Sequence, residues 1–139
     1  MFERDYLMKQ FLMFFKALTR SWEQMKEEKD PLGAAETLED AISTATEMDG
    51  AALLSLAPES IASIMRVTGV DPGVVEYIAR SMLLESVYLE EGGNAGLAGV
   101  RAAQARAIAE EYGFSLPEDP SDFDAITEGL EEAAFSSES

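Results

Sequence analysis

Neither cysteine nor histidine occurs among the 139 residues, and tryptophan occurs once. Without cysteine there is no disulfide, no thiolate nucleophile and no thiolate metal site. Without histidine there is no imidazole acid or base, no Ser-His or Cys-His pair, no ordinary zinc site and no Glu-x-x-His di-iron motif. The lack of cysteine also suits a reducing compartment. Basic charge is scarce: Lys and Arg number 10 against 27 Asp and Glu, a net charge of −17. Every lysine lies in residues 1–29, and no basic side chain follows Arg106. A surface of this kind repels phosphate backbones and anionic lipid, which argues against nucleic acid as a partner and for a protein or peptide, in particular a basic one. Long apolar runs are missing as well. The longest, "FLMFF" at 11–15, falls far short of the roughly 20 residues that cross a bilayer. Glu3 and Asp5 stand where a secretory leader would be cationic, so the expected location is cytoplasmic.

A hydrophobic fraction of 47% supports a packed core. Apolar residues recur at helical spacing throughout, and the pattern predicts an all-α chain of about six helices joined as antiparallel hairpins. A single domain is expected over 1–135, made of a long N-terminal helix (4–29), a helical-hairpin body (34–112) and a C-terminal acidic helix (121–134), with 136–139 a frayed tail. Within the body, helices are predicted over 34–48, 58–67, 71–91 and 94–112. Asp30-Pro31, Asp49-Gly50, Asp71-Pro72, Gly92-Gly93-Asn94 and Gly113 punctuate them as breakers and caps.

On the first helix, Leu7, Phe11, Phe14, Leu18, Trp22 and Met25 form one stripe at steps of four and three, and Met8, Leu12 and Phe15 form a second beside it. Two adjacent stripes are wider than a two-helix seam requires. The helix is therefore expected to meet two neighbours, one of them the second helix. The other is a further part of the core, a second copy through Phe11, Phe14, Phe15 and Leu18 in a homodimer, or a lipid surface, which the acidic body disfavours.

Ala34, Leu38 and Ala41 in the second predicted helix match Ala98, Ala102 and Ala105 in the fifth, both as A-x3-[L/A]-x2-A after a glycine-containing turn. Small side chains at these steps allow close hairpin packing. The pattern resembles the second helix of a tetratricopeptide motif. The W-x2-L-G-x2-Y arrangement is absent, and the two copies lie further apart than that motif's repeat of about 34 residues. The opening "RDYLMKQF", the apolar helix after it and the Ala-rich hairpin ending in "MDGAALLSL" also resemble a family of short bacterial proteins with a tetratricopeptide-like helical body. That resemblance implies a repeat-like helical fold, and it implies no activity and no catalytic residue.

Chemistry would have to rest on carboxylates. Glu118, Asp119, Asp122 and Asp124 in "EDPSDFD" hint at calcium, but counting from Asp119 puts Phe123 at the fifth place and Asp124 where an EF-hand loop needs glycine. An acidic helix N-terminus is the better reading. "EGGNAGLAG" neither follows a strand nor precedes a lysine, so it is a helix–helix turn and not a phosphate loop. Glu76 and Arg80 read as an exposed i, i+4 pair. Glu85 reads as a solvated glutamate, or as a groove residue for a cation or a basic side chain. No catalytic, cofactor-binding or metal residue is assigned. The expectation is a non-enzymatic protein–protein interaction module. The alternatives are a homodimeric structural protein assembled through its N-terminal helix and a carboxylate- and metal-dependent enzyme.

Overall fold

In the computed structural model, residues 2–135 are described, with side chains from Arg4 to Phe135; the tail expected at 136–139 lies outside them. Among the described residues the elements are α1 (Phe2–Lys26), α2 (Pro31–Thr46), α3 (Gly50–Leu54), α4 (Pro58–Val67), α5 (Pro72–Glu91), α6 (Ala95–Tyr112), α7 (Phe123–Ile126) and α8 (Leu130–Phe135), with no strand. The all-α class holds, while the described residues form eight helices where about six were expected.

Local chemistry sets these limits. Asp30, Asp49, Asp71, Asn94 and Asp122 each accept a backbone N–H of the following turn, from Gly33, Ala51, Gly73, Leu97 and Ala125 respectively. Asp49-Gly50, read as a stop, is therefore also a start: it ends the approach from α2 and caps α3. The acidic helix expected over 121–134 is two short helices, because Gly129 takes φ +80° between them. That turn is tied down by the Tyr77 hydroxyl, which donates to Glu128 O at 2.6 Å.

The first helix ends at Lys26, earlier than expected, and Lys29 sits in the left-handed region at φ 55°. A β-carbon is disfavoured there by roughly 1 kcal/mol. Lys29→Gly is expected to raise the unfolding free energy by about that amount in a urea titration, with no change in helical circular dichroism.

The core is built around α5. Val74, Val75, Ile78, Met82, Leu84 and Tyr88 are all fully buried, so this helix is apolar nearly all round and is enclosed by its neighbours. One side packs on α2 and the other on α6; α1 lies against α2, α4 against α6, and α8 returns to α1. The small residues sit where the hairpins close. Ala34, Leu38 and Ala105 are fully buried, Ala41 and Ala98 nearly so, and Ala102 only partly.

The first stripe of α1 and Phe15 of the second find their cover within the chain, while Met8 and Leu12 stay partly exposed at the edge of a surface cleft. Phe14 and Leu18 are fully buried. Phe11 meets Tyr77 edge-on at 5.9 Å, Phe15 meets Phe135 edge-on at 5.5 Å, and Trp22 stacks on Phe123 at 4.8 Å. The second neighbour of α1 is thus the C-terminal part of the same chain, together with α5. Phe14 and Leu18, expected among the self-association contacts, have no surface left for a second copy, and Phe11 and Phe15 have little. A hydrogen bond at 2.9 Å between Ser21 and Tyr88 further ties α1 to α5, and burial pushes the Tyr88 phenol well above its usual range.

Candidate functional site

The most concentrated polar chemistry lies inside the bundle. Arg101 and Gln104 occupy the face of α6 that otherwise carries Leu97, Ala105 and Ile108, so both are carried into the core. Arg101 donates through Nη1 to Leu54 O at 3.0 Å and to Gln104 Oε1 at 2.7 Å, and through Nη2 to Glu39 at 3.3 Å. Gln104 Nε2 donates to Leu54 O at 2.9 Å and Leu56 O at 2.7 Å, so these two side chains hold the carbonyls that α3 leaves at its C-terminal end. Glu85, on the Ile78-Met82-Leu89 face of α5, is fully buried with Oε1 3.2 Å from Arg101 Nε, close but not aligned for a hydrogen bond.

One guanidinium thus stands between two carboxylates and cannot neutralise both. Burial, then a hydrogen bond with Glu39, raises the Glu85 pKa to about 9 against the opposing pull of Arg101. Burial thus favours the neutral acid at Glu85, which is neither the solvated glutamate nor the groove residue expected. The basic side chain that it meets is the chain's own. Because Arg101 is itself buried and already engaged, the cluster is a structural lock joining α2, α3, α5 and α6.

Arg80 plays a related part at the other end of α5. It pairs with Glu76 at 2.7 Å as the spacing predicts. The pair is not fully exposed, since Arg80 also donates to Ala125 O, Ile126 O and Glu128 O, each at 3.2 Å, and so caps the C-terminal end of α7.

Two adjoining accessible clefts lie along α6. A cleft of about 450 Å³ runs between α5, the N-terminal half of α6 and the 119–121 segment, floored by Ala98, Gly99 and Ala102. A second of about 500 Å³ continues on the far side of Arg106, walled by Phe114, Leu116 and Pro117. Small residues keep the floor low: a β-carbon built on Gly99 would meet nothing within 4 Å. Four carboxylates line the combined groove, Glu90 and Asp119 in the first cleft and Glu110 and Glu118 in the second, against the single guanidinium of Arg106. Asp119 accepts from the Ser121 hydroxyl at 2.7 Å and its backbone N–H at 3.0 Å, and these bonds hold its carboxyl below the usual range.

Of the residues singled out in the sequence, Ala98 and Ala102 border this groove, while Ala34, Leu38, Ala41 and Ala105 belong to the core. "EDPSDFD" contributes Glu118 and Asp119 to the groove and Asp122 to the cap of α7. Among the described residues no set of three or more acidic side chains converges as a metal site would require. No helix among them is long and apolar enough to cross a membrane. No family model, curated protein or solved structure matches this chain.

Proposed function

We propose that the protein is a non-enzymatic interaction module of tetratricopeptide-like character, and that the groove beside α6 receives an extended basic segment of another protein. The observation that carries this reading is the groove's composition: two adjoining clefts, a floor of small side chains, and four carboxylates facing one arginine. A low floor admits the backbone of a bound segment, and the excess of negative charge selects lysine and arginine over acidic side chains. The hairpin packing that supports α6, with Ala105 buried against the core and Ala98 and Ala102 at its edge, keeps the groove on a rigid element. A net charge of −17 adds long-range attraction toward the same class of partner.

A fluorescent dodecapeptide alternating alanine and lysine serves as the probe, with its alanine–glutamate counterpart as control. Glu90→Gln combined with Glu118→Gln is expected to weaken binding about tenfold at low salt, whereas Glu23→Gln with Glu27→Gln, an equal change of charge at and just past the end of α1, should alter it by less than about twofold. Raising salt from about 50 to about 200 mM should weaken the native complex as well. Equal losses from both double variants would reduce the effect to general attraction by an acidic surface, and the groove would lose its role.

A further inference from the structure

Arg106 is the odd charge in the groove beside α6. Beyond Lys29 the basic residues are Arg66, Arg80, Arg101 and Arg106, and the first three are engaged within the chain, with Glu111 at 3.0 Å, Glu76 at 2.7 Å and Glu39 at 3.3 Å respectively. Arg106 forms no ion pair among the described residues, although Glu90 and Asp119 line one cleft with it and Glu110 and Glu118 the other. Two of these carboxylates are poorly placed to hold it. Asp119 is already engaged by the hydroxyl and the backbone N–H of Ser121. Glu110 lies one turn further along α6, and a cation that precedes its acid is the weaker order of an i, i+4 pair. Because Arg106 is exposed, its charge faces whatever enters the groove.

Its position gives that charge a register. Arg106 is the one side chain common to both clefts, so it stands at their boundary with two carboxylates on either side. The charge along the groove therefore runs negative, positive, negative. A segment carrying only lysines would set a cation against Arg106, whereas an acid at the centre would pair with it. From Gly99 to Glu110 the helix advances about 16 Å, at about 1.5 Å per residue. An extended chain covers that distance in about five residues, and its alternate side chains point the same way. Three charges at every second position thus match the groove in sign, in spacing and in direction.

Resting on the reading that this groove receives an extended basic segment, we infer that the segment carries an acidic residue between two basic ones, in the order basic-x-acidic-x-basic. The acid pairs with Arg106, and the two bases pair with the carboxylates of the two clefts. Arg106 is on this account the residue that sets which basic segments are accepted and in what register.

The test uses two fluorescent peptides of identical composition, Ala-Lys-Ala-Glu-Ala-Lys-Ala and Ala-Glu-Ala-Lys-Ala-Lys-Ala, together with the alanine–lysine dodecapeptide, each titrated into the full-length protein at about 50 mM salt. The native protein should bind the peptide with the central acid about threefold more tightly than its permuted form, a difference that net charge cannot produce. Arg106→Gln should abolish that preference and, by removing a repelling cation, should bind the alanine–lysine dodecapeptide about twofold more tightly than the native protein does. Arg106→Lys, which keeps the charge, should keep the preference. A gain for one peptide beside a loss for another cannot come from a damaged fold. If the dodecapeptide binds and Glu90→Gln with Glu118→Gln weakens it, but the two heptapeptides bind the native protein equally or Arg106→Gln still prefers the central acid, the role of Arg106 is overturned while the groove stands. If none of the peptides binds, or the double variant leaves their binding unchanged, the groove fails and the assignment of Arg106 fails with it.

Discussion

Phe14→Ala is expected to lower the unfolding free energy by about 3 to 5 kcal/mol, because the ring is fully enclosed and its loss leaves a cavity that rigid neighbours on α2 and α5 cannot fill. Leu12→Ala, on the neighbouring stripe and only partly buried, should cost about 1 kcal/mol or less. Chemical denaturation followed by circular dichroism at 222 nm gives both numbers. The contrast separates an intramolecular core from a face shared between two copies. If the stripe were completed by a second chain, the midpoint would rise with protein concentration and the Phe14→Ala loss would vary with it. An enclosed Phe14 predicts a midpoint independent of concentration in both proteins, and a Phe14→Ala change under about 1 kcal/mol would show that the ring is not packed as described.

Most helix limits could be read from the sequence because they depend on neighbours in the chain. Asp71-Pro72 caps and starts α5, and Asn94 after a glycine pair starts α6, through bonds that span two or three residues. The break at Gly129 is not visible in the pattern, because Phe123, Ile126, Leu130 and Ala134 keep an unbroken helical register across it. The register survives the break since Leu130 and Ala134 still point into the core from a separate helix. In the same way the width of the apolar face on α1 foretold a second neighbour, while the identity of that neighbour was set by Phe123 and Phe135, over a hundred residues away in the chain.

The polar interior is partly legible in the sequence. Glu85 falls in the apolar series Ile78, Met82, Leu89, and Arg101 and Gln104 fall in the series Leu97, Ala105, Ile108, so each is a polar residue on a buried face. Two such interruptions of opposite charge on the helices of one hairpin point to a buried pair. The third member, Glu39, and the carbonyls of Leu54 and Leu56 could not be found this way, because α2 and the end of α3 reach them only in the folded bundle.

The buried cluster yields two linked expectations. Arg101→Met should cost about 1 to 3 kcal/mol, since methionine fills much of the volume but leaves the buried Gln104 oxygen without its donor and the carbonyl of Leu54 with one donor fewer, while Glu39, partly exposed, turns to water. Glu85→Gln should act in the opposite sense and in a pH-dependent way. In the folded protein the Glu85 pKa is raised to about 9 from 4.5, so folding takes up a proton at any pH between those values. The stabilising state, a neutral Glu85, is freely available below about 4.5 and becomes harder to maintain against an ionised unfolded chain as pH climbs toward 9. The native protein should therefore lose stability through this group across that window, at a rate of up to about 1.4 kcal/mol per pH unit. Glutamine has nearly the same shape and has no proton to take up. Unfolding free energies of native and Glu85→Gln proteins measured at several pH values from about 5 to about 9 should diverge steadily, with the variant ahead and its lead growing as pH rises. Parallel curves would mean that Glu85 folds as a carboxylate fully paired with Arg101; the single guanidinium would then be serving Glu85 at the expense of Glu39, and the Arg101→Met penalty should shrink when Glu85 is also replaced.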